Sequence, residues 1–89
     1  MHAVVVTATI NDREAAMRLL RETVVPTVSQ SPGFVAGYWV SLGPEKGGRS
    51  ILVFESEDAA RSAADQVQPS PDDPVTIESV EVGEVVAHA

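Results

Sequence analysis

Tyr38 and Trp39 are the only tyrosine and the only tryptophan of an 89-residue chain. A phenol hydroxyl and an indole N–H can each orient a ligand, and both rings attract aromatic molecules. As neighbours on an extended segment they point to opposite sides, so they cannot both line one pocket on the same side of a sheet. The two phenylalanines, Phe34 and Phe54, complete the aromatic set, and the four together are the candidate ligand-binding residues. Tyr38 either bonds a ligand through its hydroxyl or fills the core with its tip wet. Trp39 either caps a pocket or covers apolar surface at a subunit interface, and the interface is the more economical reading. His2 and His88 lie near the chain ends and would come close if the first and last strands paired. A metal needs at least one more ligand, and no ligand spacing accompanies them, so no metal site is expected. Glu78, Glu81 and Glu84 are spaced by three and do not share a strand face, so they form no facing carboxylate pair for acid–base work. Arg49 and Arg61 could meet an anion but read as surface charges. No glycine-rich phosphate loop, Ser-His-Asp set or zinc spacing is present. No catalytic residue is assigned and no cofactor is expected.

The absence of cysteine removes disulfides, thiolate metal sites and a thiol nucleophile. The net charge is −7, and it is unevenly placed. Residues 1–49 carry four acids and five bases, whereas residues 50–89 carry nine acids and one base. Binding a phosphate backbone needs cations that displace counterions, so this charge disfavours nucleic acid and anionic membrane as partners. No apolar run approaches the roughly 18 residues of a membrane span, and Met1-His2-Ala3 lacks the basic start of a signal peptide. A cytoplasmic protein is expected, with residues 1–89 forming one domain.

Six elements must position these side chains. His2 to Ile10 is β-branched and apolar on both faces, the mark of a buried strand. Asn11, with Glu14 three residues on, has capping-box spacing and predicts a helix start. The helix places Ala16, Leu19, Leu20, Thr23, Val24 and Val28 on one stripe. Pro26 lacks a backbone donor, so the helix either kinks or ends near Val24. In Phe34 to Leu42, simple alternation puts Phe34, Ala36, Tyr38, Val40 and Leu42 on one face, and Val35, Gly37, Trp39 and Ser41 on the other. Gly43 to Gly48 predicts a turn, making a hairpin with a third strand over Arg49 to Glu55. Ser56 caps an alanine-rich second helix from Glu57 to Val67, whose small side chains permit close approach to a sheet. Pro69, Pro71 and Pro74 predict a stiff connection. Val75 to His88 predicts a long last strand, with Gly83 as its bulge or bend. Right-handed crossovers of this βαββαβ order yield an α+β, ferredoxin-like fold: a four-stranded antiparallel sheet with both helices on one face.

Two helices can cover one face of that sheet, yet strands one and three are apolar on both. No other segment of the chain can cover the second face, and a monomer rarely exposes so large an apolar patch. A second copy packed sheet to sheet is the simplest cover, so a homodimer is expected. The last strand adds to this expectation. It is long, and its valines fall on both faces, as for a strand that pairs at home and then reaches a partner.

Two stretches resemble a known family. Ser31-Pro32-Gly33-Phe34 forms a PGF junction between the first helix and second strand. Leu52-Val53-Phe54-Glu55-Ser56-Glu57-Asp58-Ala59-Ala60 is similar to an aromatic-Glu-Ser-x-acid-Ala entry into the second helix. With the element order, these resemble the dimeric α/β-barrel superfamily and, within it, the antibiotic-biosynthesis-monooxygenase-like (ABM) domains. The resemblance implies a paired α/β barrel. It includes cofactor-independent monooxygenases of phenols, haem-degrading enzymes and many proteins of no known role. The haem degraders use a second-helix histidine, a nearby tryptophan and a first-strand asparagine. Here residues 57–67 hold no histidine or tryptophan and Val4 to Val6 hold no asparagine, so haem degradation by that mechanism is not expected.

Three functions stay open. The first is a small dimeric protein that binds an apolar or aromatic metabolite between sheet and helices. The second is a cofactor-independent monooxygenase of a phenolic or quinol-type substrate, with Tyr38 or Trp39 in its pocket. The third is a non-catalytic regulatory or interaction module. Fold alone separates none of them.

Overall fold

A computed structural model describes residues 1–43, 47–67 and 74–89. Its strands are β1 (His2–Ile10), β2 (Phe34–Ser41), β3 (Gly48–Phe54) and β4 (Val75–Glu84). Its helical segments are α1 (Arg13–Leu19), a π-helical turn (Leu20–Val24), α2 (Val25–Ser29) and α3 (Glu57–Asp65). The strands form one sheet in the order β2-β3-β1-β4, every neighbouring pair antiparallel. This is the ferredoxin-like α+β arrangement expected from the element order. Pro44 and the other central residues of the β2–β3 turn, and Pro69 and Pro71 of the α3–β4 connection, lie outside the described residues.

Helix starts follow side-chain chemistry. The α1 cap is Asp12 and not Asn11: Asp12 is extended (φ −139°, ψ 102°) and its carboxylate accepts from the Ala15 N–H at 3.1 Å. Asn11 instead donates through Nδ2 to Thr76 Oγ1 at 2.9 Å, and its backbone N–H donates to the Pro74 carbonyl at 2.8 Å. The residue before the cap thus ties the start of α1 to the start of β4. Asp12→Ala is expected to lower stability by about 1 kcal/mol, read as a reduced urea midpoint at unchanged m-value. No loss would show that Asp12 does not cap α1. Ser56 caps α3 as its sequence predicts, accepting from the Ala59 N–H at 3.1 Å.

Pro26 neither ends the first helix nor breaks it at Val24. The chain widens by one residue first: the Val25 N–H donates to the Leu20 carbonyl, five residues back. Pro26 then falls in the first turn of α2, where a missing N–H is tolerated. The helical course therefore runs on to Ser29.

Two bulges redistribute the side chains. Between Phe34 and Ala36, two steps of β2 oppose the single step Phe54–Val53 of β3, leaving Val35 extra. Phe34 consequently joins Gly37 and Trp39 on the helix side and parts from Ala36, Tyr38 and Val40, which simple alternation had grouped with it. In β4, the register with β1 shifts between Ile77 and Ser79, leaving Glu78 extra. Glu78 accepts from Thr9 Oγ1 at 2.8 Å. The bulge lies there and not at Gly83, which pairs in register with Ala3. It turns Val75 and Ile77 to the same side as Val80 and Val82. The mixed pattern of this strand is thus explained within one chain. The strand also ends at Glu84, short of His88.

The core lies between the helices and the centre of the sheet. Val4, Val6, Leu52, Phe54 and Ala60 are buried there, with Phe34, Trp39, Ala63, Val80 and Val82 among the half-buried residues packed on them. Gly33 makes the junction into β2 possible. Its φ of +78° favours glycine, and an added Cβ would meet Ala59 Cβ at 2.9 Å. Its carbonyl accepts from the Glu55 N–H at 2.8 Å, joining the starts of β2 and α3.

Candidate functional site

A cavity of about 380 Å³ lies between the helix side of the sheet and the first helical course. Its roof is the apolar stripe that the sequence predicts would pack on the sheet: Ala16, Leu19, Leu20, Thr23, Val24 and Val28. Of these, only Val28 joins the residues packed on the core. The rest face the space. Its floor is Val6, Ala8, Trp39, Ser50, Leu52 and Ile77, and one side is Ala63, Gln66 and Val67. The asymmetry has a steric origin. The alanines of α3 let it settle on β1, β3 and β4, whereas the bulkier stripe of α1 and the π-helical turn spans the rest of the sheet from a distance. At one end Arg13 Nη1 donates to Ser41 Oγ at 2.7 Å, tying the start of α1 to the end of β2 beside the cavity.

The walls are mainly aliphatic, with hydroxyls from Thr23, Thr27, Ser31, Ser41 and Ser50, the Gln66 amide and the Trp39 indole among them. Among the described residues, Arg49 is the single charged one bordering the space. No carboxylate or imidazole lines it among the described residues. Such a site holds an apolar body and offers hydrogen bonds to one or two polar groups. Among the described residues, it supplies no side chain that would accept a proton near neutral pH.

The four aromatic candidates do not converge. Trp39 alone lines the cavity. Tyr38 is 62% exposed on the opposite side of the sheet. Phe54 is fully buried and meets Phe34 edge to face, with ring centroids 5.9 Å apart and planes at 79°. Those two rings are core packing. Trp39 also belongs to the helix side and not to the open face, so its place is under the helices. The sequence reading did not single out Leu20, Val24, Ser50 or Gln66 as site residues. For Leu20 and Val24 the signal was present as the stripe itself; the height at which it rides was not.

His2 pairs with Glu84 across the strands, and its Nε2 lies 3.5 Å from Glu57 Oε2. His88 follows the end of β4. Among the described residues, no group of three or more His, Asp or Glu side chains is placed to hold a metal ion. None of the described helices is long and apolar enough to cross a membrane.

The opposite face of the sheet is open. Tyr38, Ile51, Val5 and Glu81 form one row across all four strands, and Ala36, Val53, Ala3 and Gly83 form another. Tyr38, Val40 and Ile51 are 62%, 44% and 40% exposed, and Val35 at the bulge is 48% exposed.

No protein-family model matches the chain, and no curated protein matches it in sequence. Among solved structures, it is similar to the haem-degrading protein Rv3592 from Mycobacterium tuberculosis, described as haem free with cleaved protein. The TM-score is 0.60 at 22% identity, over 100% of this chain and 99% of that chain. The likeness is one of fold. It extends over the whole length of both chains, so the ferredoxin-like arrangement is shared from end to end.

Proposed function

We propose that this protein binds a small apolar or aromatic molecule in the cavity between sheet and helices, as an ABM-like protein whose open sheet face pairs with a second copy. The cavity carries the first part. Its volume falls within the usual range for ligand sites, and an apolar stripe that could have closed a core lines it instead. The apolar rows of the open face support the second part, since a water-facing patch of this kind is normally covered.

Haem fits this cavity poorly. Among the described residues its walls hold no histidine, cysteine or tyrosine, the side chains that commonly hold haem iron. Met17 supplies a lone thioether there. The likeness to a haem-degrading protein is therefore one of fold and does not extend to that ligand.

Trp39 makes the test direct, because all tryptophan emission comes from the cavity wall. Titration with 2-naphthol is expected to change that emission saturably, with a matching calorimetric isotherm. Val24→Phe, which adds bulk to the roof, is expected to weaken binding at least about tenfold while the protein stays folded. Absence of saturable binding, or binding untouched by Val24→Phe, would remove the cavity as the site. An oxygenase on the same scaffold would add O₂ uptake with a quinol and loss of turnover in Trp39→Phe. Binding without turnover leaves the ligand-binding reading alone.

A further inference from the structure

The most specific contact beneath the cavity is between Trp39 and a residue that has no side chain. A Cβ built on Gly37 would meet Cη2 of Trp39 at 2.9 Å, Cζ3 at 3.0 Å and Phe34 Cζ at 3.3 Å. The two residues share the helix side of β2, since Gly37 pairs with Leu52 and Trp39 with Ser50. The benzo edge of the indole therefore lies directly over Gly37. The ring is laid back along its own strand and does not stand up toward the roof. Phe34 closes the far end, anchored in turn by its edge-to-face contact with Phe54. Any larger residue at position 37 would push the indole up into the space that Leu20 and Val24 roof.

We propose that Gly37 is a positioning residue for ligand selection: by letting Trp39 lie along the cavity floor, it selects a flat aromatic occupant over a saturated one of the same skeleton. This rests on the cavity being the ligand site. An indole in the floor offers its π-system along the length of a bound molecule. Aromatic rings gain from stacked or edge-on contact beyond the area they bury, whereas a puckered saturated ring gains burial only. A ring raised into the cavity would shorten the space and lose the extended contact. Gly37 touches no ligand in this arrangement and acts only through Trp39.

The test compares 2-naphthol with trans-decahydro-2-naphthol by calorimetry. The two share a skeleton and a hydroxyl, and the saturated one presents no less apolar surface. The expected preference for 2-naphthol is roughly two- to tenfold in the wild-type protein. Gly37→Ala and Trp39→Leu are each expected to bring the ratio close to one while decahydronaphthol still binds. In the double variant Gly37→Ala/Trp39→Leu the ratio should not fall further, because both changes act on one contact. A residue needed only for folding would alter both affinities together and leave their ratio intact.

Equal binding of the two probes by the wild-type protein would overturn the selection while leaving the cavity reading in place. A preference that survives Gly37→Ala, or that falls further in the double variant, would overturn the positioning role. Binding of neither probe would overturn this inference together with the proposed function. If Gly37→Ala does not fold, the wild-type ratio and Trp39→Leu still decide whether the indole selects.

Discussion

If a second copy covers the open face, as proposed, Ile51→Glu is expected to turn that dimer into a monomer. Ile51 sits at the centre of the open face, flanked in its row by Tyr38 on one side and Val5 on the other. In a face-to-face pairing of two copies the interface is two-fold, so one substitution places two carboxylates in it. Each would be taken from water without a built partner, at a cost of several kcal/mol. The dimer dissociation constant should therefore rise at least about a hundredfold, the equivalent of roughly 3 kcal/mol. Sedimentation velocity across a concentration series reads this directly. Ser62→Glu, an exposed change on α3, is the control for charge alone. A monomeric wild-type protein, or a dimer indifferent to Ile51→Glu, would end the proposal that a second copy covers this face. The acidic strand β4 lies at one edge of the same face, with Glu81 beside Val5. The apolar rows on β1, β2 and β3 are thus the part of the face suited to self-pairing.

Phe54→Ala should remove a large share of the stability of the fold. Phe54 is fully buried, pairs with His2 across one neighbour strand and Phe34 across the other, and meets the Phe34 ring edge to face. Truncating a buried phenylalanine removes its transfer free energy and leaves a cavity, about 3–5 kcal/mol in all. A domain of this size has about 5–15 kcal/mol to lose. The thermal midpoint is expected to fall by on the order of 15–30 °C. Phe34→Ala should cost less, since Phe34 is half-buried. A loss below about 1 kcal/mol in Phe54→Ala would show that the ring is not the centre of the core. The two phenylalanines thus act beneath the site.

Much of the architecture follows from local pattern. The βαββαβ order is legible because strand and helix periods differ. Ser56 is legible as a cap because a hydroxyl before two acids and an alanine run has few other uses. The opposition of Tyr38 and Trp39 is a property of any extended chain. The two-sided apolar character of β1 and β3 marks an uncovered face in the sequence, and the fold leaves that face open. What local pattern could not decide concerns how one element meets another. A bulge depends on the relative lengths of two strands, so nothing within β2 reveals that Val35 is extra, or within β4 that Glu78 is. Yet those bulges send Phe34 under the helices and align Val75, Ile77, Val80 and Val82. The choice of Asp12 over Asn11 as cap depends on Thr76 and Pro74, some sixty residues away in the chain, which engage Asn11. The passage of the helix through Pro26 depends on a one-residue widening that no propensity encodes. The cavity is decided by tertiary structure in the fullest sense. Helical spacing determines that Leu19, Leu20 and Val24 share a stripe, but whether that stripe touches the sheet depends on the bulk of two different helices resting on it. Small alanines bring one helix down and larger side chains keep the other up, and the space between them is the candidate site.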